Sequence, residues 1–226
     1  MVWARTKKTW AAEEDFVEDG KGGYGVRTVY GKTVGMLGYG HIGRETARLF
    51  RAFGVDVIAA TSSGAARPDD GYILPGTGDK EGSIPSEYYQ TTHRASFHAF
   101  LARSDILICS VPSTNATRGL LSVEELGLLP DGAVVINVGR GDLIDTNALL
   151  KALDNNIAGA ALDVTSPEPL PANHLLFSHP RCIITPHLSG TVENEHDEVV
   201  KLCLSSVERM RNGEAPWGIV DVEKGY

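Results

Sequence analysis

The side chains of this 226-residue chain that are best suited to catalysis each follow a short apolar segment typical of a buried strand. They are Arg140, Asp163, Glu168 and His187. Ligands of parallel sheets bind beyond the carboxyl ends of the strands, so we expect these side chains to lie close together. A histidine can hold and release a proton near neutral pH, a carboxylate can orient it, and an arginine can grip a substrate carboxylate through two parallel bonds. The set suits hydride transfer between a 2-oxo acid and a 2-hydroxy acid.

A glycine pattern, G-x-G-x-x-G, occupies Gly38, Gly40 and Gly43, directly after the apolar segment 33–37. The first glycine allows a tight turn, the second lets the backbone approach a pyrophosphate, and the third lets a helix pack on the strand. The N-terminus of that helix offers free N–H groups to phosphates. The pattern therefore predicts dinucleotide binding, although glycines also mark ordinary turns.

The segment after the glycines carries apolar residues at helical spacing and predicts a helix that ends at Gly54. These apolar positions are Ile42, Leu49, Phe50 and Phe53. A second apolar run over residues 55–60 predicts the next strand. Together the elements form a βαβ unit, which is the context that dinucleotide binding requires.

The remaining sequence alternates between apolar segments and helical patterns. We expect strands over residues 106–111, 133–137, 158–164 and 182–185, and helices over 94–102, after Ser122, and over 146–154 and 193–211. Such alternation predicts an α/β fold with a doubly wound parallel sheet of the Rossmann type, as a single main domain. We expect an N-terminal segment at 1–30, the cofactor domain at 31–190, and a C-terminal helix and tail at 191–226. The apolar stripe of that last helix is Val200, Cys203, Val207 and Met210.

The composition limits the partners that we expect. The net charge is −8 without a basic cluster, which argues against nucleic acid and anionic membranes. No apolar run is long enough to span a bilayer, and the N-terminus lacks the apolar core of a secretory signal. The three cysteines have no disulfide or metal-ligand pattern, so we expect buried thiols, a reducing, cytoplasmic location and no metal.

The choice between NAD and NADP depends on the end of the second predicted strand. An acidic residue there would accept from the ribose 2′-OH of NAD, but Asp56 lies at the opposite end of that strand. Thr61, Ser62 and Ser63 can instead donate to a 2′-phosphate, and Arg67 can reach it. The sequence favours NADP on this basis, with the alternative that these are simply small polar loop residues.

Residues 64–90 form an unusually long connection with recurring glycines and prolines. Long loops in compact domains are usually functional or mobile. We expect an insertion on the protein surface, held by its larger side chains. These are Tyr72, Ile73, Leu74, Ile84, Tyr88 and Tyr89.

Four motifs in order resemble those of the D-isomer-specific 2-hydroxyacid dehydrogenases. They are the glycine pattern, Asn137-Val138-Gly139-Arg140-Gly141, the segment 161–170 (ALDVTSPEPL), and Thr185-Pro186-His187-Leu188-Ser189-Gly190. The resemblance implies that Arg140 binds substrate and that Glu168 pairs with His187, the proton donor. It also implies a small 2-oxo or 2-hydroxy acid as substrate and a homodimer.

The resemblance and the glycine pattern together give a predicted set of residues that bind NAD(P). The set is Gly38, Gly40, His41, Ile42, Gly43, Thr61, Ser62, Ser63, Val111, Pro112, Val138, Gly139, Arg140, Asp163, His187, Ser189 and Gly190. Within it, the resemblance places His41 and Ile42 at the pyrophosphate and Asp163 at the nicotinamide end. The other histidines are expected to make local hydrogen bonds only: His93, His98, His174, His179 and His196.

The chain departs from the family in its first part, because only about thirty residues precede the first strand, where most of a substrate domain is expected. Three interpretations follow. The chain is a truncated dehydrogenase, a non-catalytic NAD(P)-binding module that senses or regulates, or a subunit that completes its site with another chain. The intact set of Arg140, Glu168 and His187 favours the first, since a binding module needs none of them.

Overall fold

A computed structural model describes residues 28–221, so the segment predicted over residues 1–30 lies almost entirely outside the described part. The described residues form one seven-stranded sheet in the order β3-β2-β1-β4-β5-β6-β7. Every pairing is parallel. The strands are β1 Thr33–Leu37, β2 Asp56–Thr61, β3 Glu87–Gln90, β4 Ile106–Cys109, β5 Ala133–Asn137, β6 Ile157–Leu162 and β7 Cys182–Ile184. The strand order reverses direction between β1 and β4, which confirms the doubly wound sheet of the Rossmann type.

Helices connect the strands along the chain. They are α1 His41–Arg51, α2 Arg94–Arg103, α3 Val123–Gly127, α4 Thr146–Asp154, α5 Leu175–Ser178 and α6 Glu195–Arg211. The cap of α3 is a capping box, because the amide of Ser122 donates to the carboxylate of Glu125 while the Ser122 hydroxyl caps the helix. Asp145 caps α4 by accepting from the Ala148 amide at 2.8 Å. Such caps explain why the helices begin where the sequence predicts.

The core consists of two buried apolar clusters, in which successive residues of the central strands alternate. Leu37 of β1 belongs to the larger cluster, which also holds the buried faces of α2 and α4. Its neighbour Met36 belongs to the smaller cluster, together with Ala47 of α1. This alternation follows from the two-residue period of a strand and places helices on both faces of the sheet.

The segment predicted as one long surface insertion ends in a strand that the sequence analysis missed. Residues 87–90 pair with β2 in parallel and form the edge of the sheet. The strand is short and only Tyr89 is buried in it, so its pattern is too weak to distinguish from the loop before it. Tyr88 and Tyr89 are therefore sheet residues. Tyr88 is also an anchor of the loop, because its hydroxyl donates to the Gly82 carbonyl at 2.8 Å.

The face that α1 packs on the sheet holds only part of the apolar pattern that predicted this helix. Ile42 and Leu49, with Phe53 beyond the helix end, are 57%, 52% and 61% exposed, whereas Phe50 packs against the smaller cluster. The buried residues of α1 are Gly43, Arg44 and Ala47. Small side chains let a helix approach a sheet closely, so helical spacing gave the correct element without identifying its buried face.

The last helix, α6, buries none of its residues. Its predicted apolar stripe is exposed, and Cys203 within it is exposed as well, so the expectation of a buried thiol is wrong at this position. Cys109 and Cys182 are buried, and burial raises the pKa of the Cys109 thiol. No helix in residues 28–221 has the length and apolar character needed to cross a membrane.

Candidate active site

The glycine turn lies between β1 and α1, and glycine suits each of its three positions for a different structural reason. Gly38 has φ +92°, a conformation that favours glycine. A Cβ at Gly43 would lie 2.5 Å from the carbonyl oxygen of Gly38, so only glycine allows α1 this close to the turn. A Cβ at Gly40 would meet no atom within 4 Å, because this residue faces open space. A ligand can therefore approach the backbone at Gly40 closely and meet the N-terminus of α1, which follows directly.

A cleft of about 920 Å³ opens at the carboxyl ends of β1, β2 and β4, where the strand order reverses. Several of the predicted cofactor residues line it: Gly38, Gly40, Thr61, Ser62, Ser63, Val111 and Pro112. Others lie outside its lining: His41, Ile42, Gly43, Val138, Gly139, Arg140, Asp163, His187, Ser189 and Gly190. The size of the cleft, the open face of Gly40 and the N-terminus of α1 fit an extended dinucleotide.

Glu168 and His187 form a direct pair at the carboxyl edge of the sheet. Nδ1 of His187 lies 2.6 Å from Oε1 of Glu168, which fixes the orientation of the ring and leaves Nε2 for another partner. The two side chains are 51% and 39% exposed. His187 also has φ +53°, a left-handed conformation that is uncommon for a residue with a side chain. Such strain is typical of functional positions.

Asp163 holds the loop that carries His187. Its carboxylate accepts from the Thr185 hydroxyl at 2.5 Å and from the amides of Leu188 and Ser189 at 2.8 and 2.9 Å. Burial opposes ionisation of Asp163, yet these hydrogen bonds outweigh it and hold the pKa of the carboxyl well below its usual range. These bonds all go to the loop that carries His187, and the predicted contact of Asp163 with the nicotinamide end stays a prediction.

Arg140 lies in the turn after β5, and its exposed side chain donates to the carbonyl of Gly139 at 2.7 Å. The turn itself packs against the loop of Glu168, because a Cβ at Gly141 would lie 1.9 Å from the carbonyl oxygen of Thr165. The backbone thus places the Arg140 turn beside the Glu168 loop, while the guanidinium makes no contact with Glu168 or His187.

The end of β2 presents small polar groups to the cleft, as the sequence analysis expected. Thr61 Oγ1 lies 3.3 Å from Ser63 Oγ and accepts from the Gly64 amide at 3.0 Å. Arg67 is exposed and lines the same cleft. Among the described residues no carboxylate lines this end of the cleft.

Sequence reasoning missed several residues of the cleft. Arg44 and Tyr39 line it beside the glycine turn, Tyr88 lines it from β3, and residues 113–118 line it after β4. The position of Arg44 directly after the glycine pattern was the one available signal.

Three of the five histidines that were predicted to make only local hydrogen bonds do make such bonds. His93 and His174 accept from the amides of Ser96 and Leu176 at helix starts, both at 3.2 Å. His179 accepts from the Arg181 amide, also at 3.2 Å. In residues 28–221 no three His, Cys, Asp or Glu side chains are grouped as metal ligands.

A family model described as the NAD binding domain of D-isomer specific 2-hydroxyacid dehydrogenases matches residues 1–189. The chain belongs to this family. Glyoxylate reductase of Thermococcus kodakarensis is 32% identical over 196 residues, which cover 86% of this chain and 53% of that protein. Glyoxylate/hydroxypyruvate reductase A of Salmonella paratyphi B is 33% identical, with 86% and 56% covered. This family member thus spans about half the length of the curated relatives that it matches.

Solved structures agree with this assignment. The D-isomer specific 2-hydroxyacid dehydrogenase of Xanthobacter autotrophicus Py2, in complex with NADPH and MES, has a TM-score of 0.74 and 30% identity. The match covers 99% of this chain and 61% of that one. The described domain of this family member is therefore an NAD(P)-binding domain.

Proposed function

We propose that the protein interconverts a 2-oxo acid and a D-2-hydroxy acid with a nicotinamide dinucleotide. The observation that carries this proposal is the Glu168–His187 pair, with its 2.6 Å contact, at the same sheet edge as the nucleotide cleft. A module that only binds nucleotide has no need for an oriented histidine at that edge. The names of relatives support glyoxylate or hydroxypyruvate as substrates.

Each residue of the set has a distinct role in this proposal. The dinucleotide, when bound, supplies or accepts the hydride. His187 holds at Nε2 the proton that the substrate oxygen gains or loses, and Glu168 fixes the ring by accepting at Nδ1. Arg140 is exposed and can turn from the Gly139 carbonyl to grip a substrate carboxylate. General acid–base catalysis of this type contributes roughly 10²–10⁴-fold.

We propose NADP(H) as the preferred cofactor. Thr61, Ser62 and Ser63 offer hydroxyl donors at the adenosine-side end of the cleft, and Arg67 adds a positive charge there. A carboxylate at this place would repel a 2′-phosphate, and the described lining contains none. The NADPH complex of the Xanthobacter relative is consistent with this preference.

The test of the activity is a titration of the chain with NADPH and with NADH, followed by addition of glyoxylate. Binding is measured by fluorescence, and oxidation of the dinucleotide by its absorbance. We expect binding followed by oxidation, and loss of at least 10²-fold in the oxidation rate for His187→Ala with nucleotide affinity unchanged. His196→Gln, an exposed histidine of α6, is the matched control.

Two other outcomes would change the proposal. Binding without oxidation would indicate a competent cofactor domain without its substrate half, or the non-catalytic module. Oxidation that His187→Ala leaves intact would remove His187 as the proton donor. The cofactor preference is tested by Arg67→Ala, which should weaken NADPH and leave NADH nearly unchanged. Equal weakening of both would contradict the assignment of Arg67.

We also propose a homodimer in the cytoplasm. The exposed apolar face of α1, formed by Ile42, Leu49 and Phe53, supports pairing with a second copy, because water contact with such a face is unfavourable. The free thiols of Cys109 and Cys203 support a reducing location. Sedimentation of the chain and of a Phe53→Glu variant tests the pairing, since the variant should sediment as a monomer.

A further inference from the structure

Residues 64–86, here called the 64–86 segment, form the wall of the cleft next to the end of β2. They contain neither helix nor strand, yet they contribute Ala65 and Arg67 to the lining. A segment without regular structure must be held by other bonds if it is to present a side chain at a defined place. A buried polar cluster beside the glycine turn supplies these bonds.

Arg44 is the centre of this cluster and is only 6% exposed. Each of its three guanidinium nitrogens donates to a backbone carbonyl. Nε donates to Tyr39 at 3.1 Å, Nη1 to Asp79 at 2.5 Å and Nη2 to Arg67 at 2.7 Å. One rigid side chain thus joins the glycine turn to two points of the 64–86 segment.

Asp79 closes the cluster from the other side and is 8% exposed. Its carboxylate accepts from the Tyr39 hydroxyl at 2.8 Å and from the amides of Ser83 and Ile84 at 3.0 and 2.9 Å. Burial opposes ionisation of Asp79, but these bonds outweigh it and lower the pKa of the carboxyl. Burial and the bond to Asp79 raise the pKa of Tyr39, so Tyr39 remains a donor.

Arg67 is the residue that the cluster places. Its carbonyl oxygen is held by Arg44, while its side chain is exposed and the residue lines the same cleft as Ser63. Gly82 adds a second close approach, since a Cβ there would lie 2.9 Å from the Arg67 carbonyl oxygen. The backbone of Arg67 is thus fixed although its side chain is free to meet a ligand.

We propose that Arg44 is a positioning residue for cofactor selectivity, which holds Arg67 where it can bind the 2′-phosphate of NADP(H). This inference rests on the proposed NADP(H) preference. In this proposal the buried cluster and the 64–86 segment together set the distance between Arg67 and the end of β2. The selectivity for NADP(H) over NAD(H) then depends on the Arg44 guanidinium, whose three nitrogens all donate to protein carbonyls and do not bind the cofactor themselves.

The test compares adenosine 2′,5′-bisphosphate with 5′-AMP, two probes that differ only in the 2′-phosphate. Dissociation constants are measured by calorimetry for the wild type, Arg67→Ala, Arg44→Lys and Tyr39→Phe. We expect the wild type to prefer the bisphosphate by about tenfold, as one charge-assisted contact supplies. Arg44→Lys retains the charge but cannot span three carbonyls, so it should lose most of the preference, as Arg67→Ala does, with 5′-AMP affinity within twofold.

Tyr39→Phe provides a second, milder variant in case Arg44→Lys does not fold. It removes one donor to Asp79 and keeps the ring that lies 5.2 Å from the Arg44 guanidinium, so it should lower the preference in part. Arg51→Lys, an exposed arginine at the end of α1, is the matched control and should retain the full preference.

The outcomes separate the two proposals. If Arg67→Ala loses the preference and both Arg44→Lys and Tyr39→Phe keep it, the positioning role is overturned and the cofactor proposal stands. If Arg44→Lys weakens both probes equally, its role is merely structural and the inference is again overturned. If the wild type binds both probes equally, the NADP(H) preference fails and the positioning role fails with it.

Discussion

Asp79 and Asp163 both have buried carboxylates that accept hydrogen bonds from backbone amides, and each holds a loop at the carboxyl edge of the sheet. The loop held by Asp79 closes against Arg44 and Tyr39, so the adenosine side of the cleft has a continuous polar interior. The loop held by Asp163 presents His187 with half of its side chain exposed. The wall of the cleft is therefore held by buried polar groups, whereas the proposed proton donor is open to solvent.

The difference between the two sides indicates what each carboxylate contributes. On the proposed adenosine side the fixed element is a wall of the cleft, which would keep a constant distance to a ligand. On the proposed catalytic side the fixed element is a backbone turn that carries the imidazole of His187. In both cases the buried charge positions other groups and is itself satisfied by the protein.

The largest effect that would test this comparison is expected for Asp163→Asn. An amide cannot accept from all three donors, so we expect the free energy of unfolding at pH 7 to fall by about 3 kcal/mol. Affinity for adenosine 2′,5′-bisphosphate should remain unchanged, because Asp163 lies outside the lining of the cleft. Urea unfolding and a titration with the bisphosphate measure the two quantities, and a loss of affinity for the bisphosphate would break the separation of the two sides.

The same variant has a defined pH dependence. The pKa of Asp163 is lower in the folded than in the unfolded state, so its stabilisation is present above the unfolded pKa of about 4 and is lost as the pH falls toward the folded value. The difference in stability between wild type and Asp163→Asn should therefore shrink below about pH 4. Asp154→Asn, with a side chain 77% exposed, is the control and should show little difference at any pH. If the difference in the free energy of unfolding between wild type and Asp163→Asn stayed constant down to pH 3, ionised Asp163 would not be the source of the stabilisation.

A smaller effect is expected for Gly40→Ala, which tests the nucleotide wall. Gly40 has φ −85° and open space around it, so alanine fits the fold without strain. The added methyl group occupies the place where a pyrophosphate approaches, and we expect nucleotide affinity to fall about tenfold, or ~1.4 kcal/mol. Gly127→Ala, also in open space but in α3, should leave affinity unchanged. Equal affinities for wild type and Gly40→Ala would place the pyrophosphate elsewhere.

The smallest effect is expected on α6, beyond the catalytic edge. Leu204 is exposed, so Leu204→Gln should change the free energy of unfolding by less than about 0.5 kcal/mol. Leu153→Gln in α4 is the matched contrast, because Leu153 is fully buried and its replacement should cost about 3 kcal/mol or more. Thermal unfolding of both variants provides the measurement. A large loss for Leu204→Gln would mean that α6 is packed on a partner in solution.

The sequence was sufficient for elements with a strong period and clear ends. The strand at 133–137 and the helix at 146–154 have the predicted bounds, because an apolar run and an Asp145 cap define them. β3 was missed, since an edge strand of four residues buries too little to show a period. The buried face of α1 was not predicted, because close packing on the sheet selected Gly43 and Ala47 over larger apolar residues.

The candidate site shows a similar division. The pairing of Glu168 with His187 was expected from motif resemblance, and the structure places the two in contact. The Arg44 cluster was not expected, because its bonds join residues 44, 67 and 79, whose separation in sequence has no period. Long-range bonds to backbone carbonyls depend on the path of a loop, which local sequence does not determine.

The backbone of His187 has a consequence for how this position tolerates change. Its φ of +53° is held by the amide, which donates to the Asp163 carbonyl, and this conformation costs a residue with a Cβ about 1–2 kcal/mol. In a library that randomises position 187, selection for stability should enrich glycine and asparagine, whereas selection for turnover should retain histidine. The two selections would then favour different residues at position 187. The difference in stability between the two groups of variants would measure the stability cost of keeping histidine there.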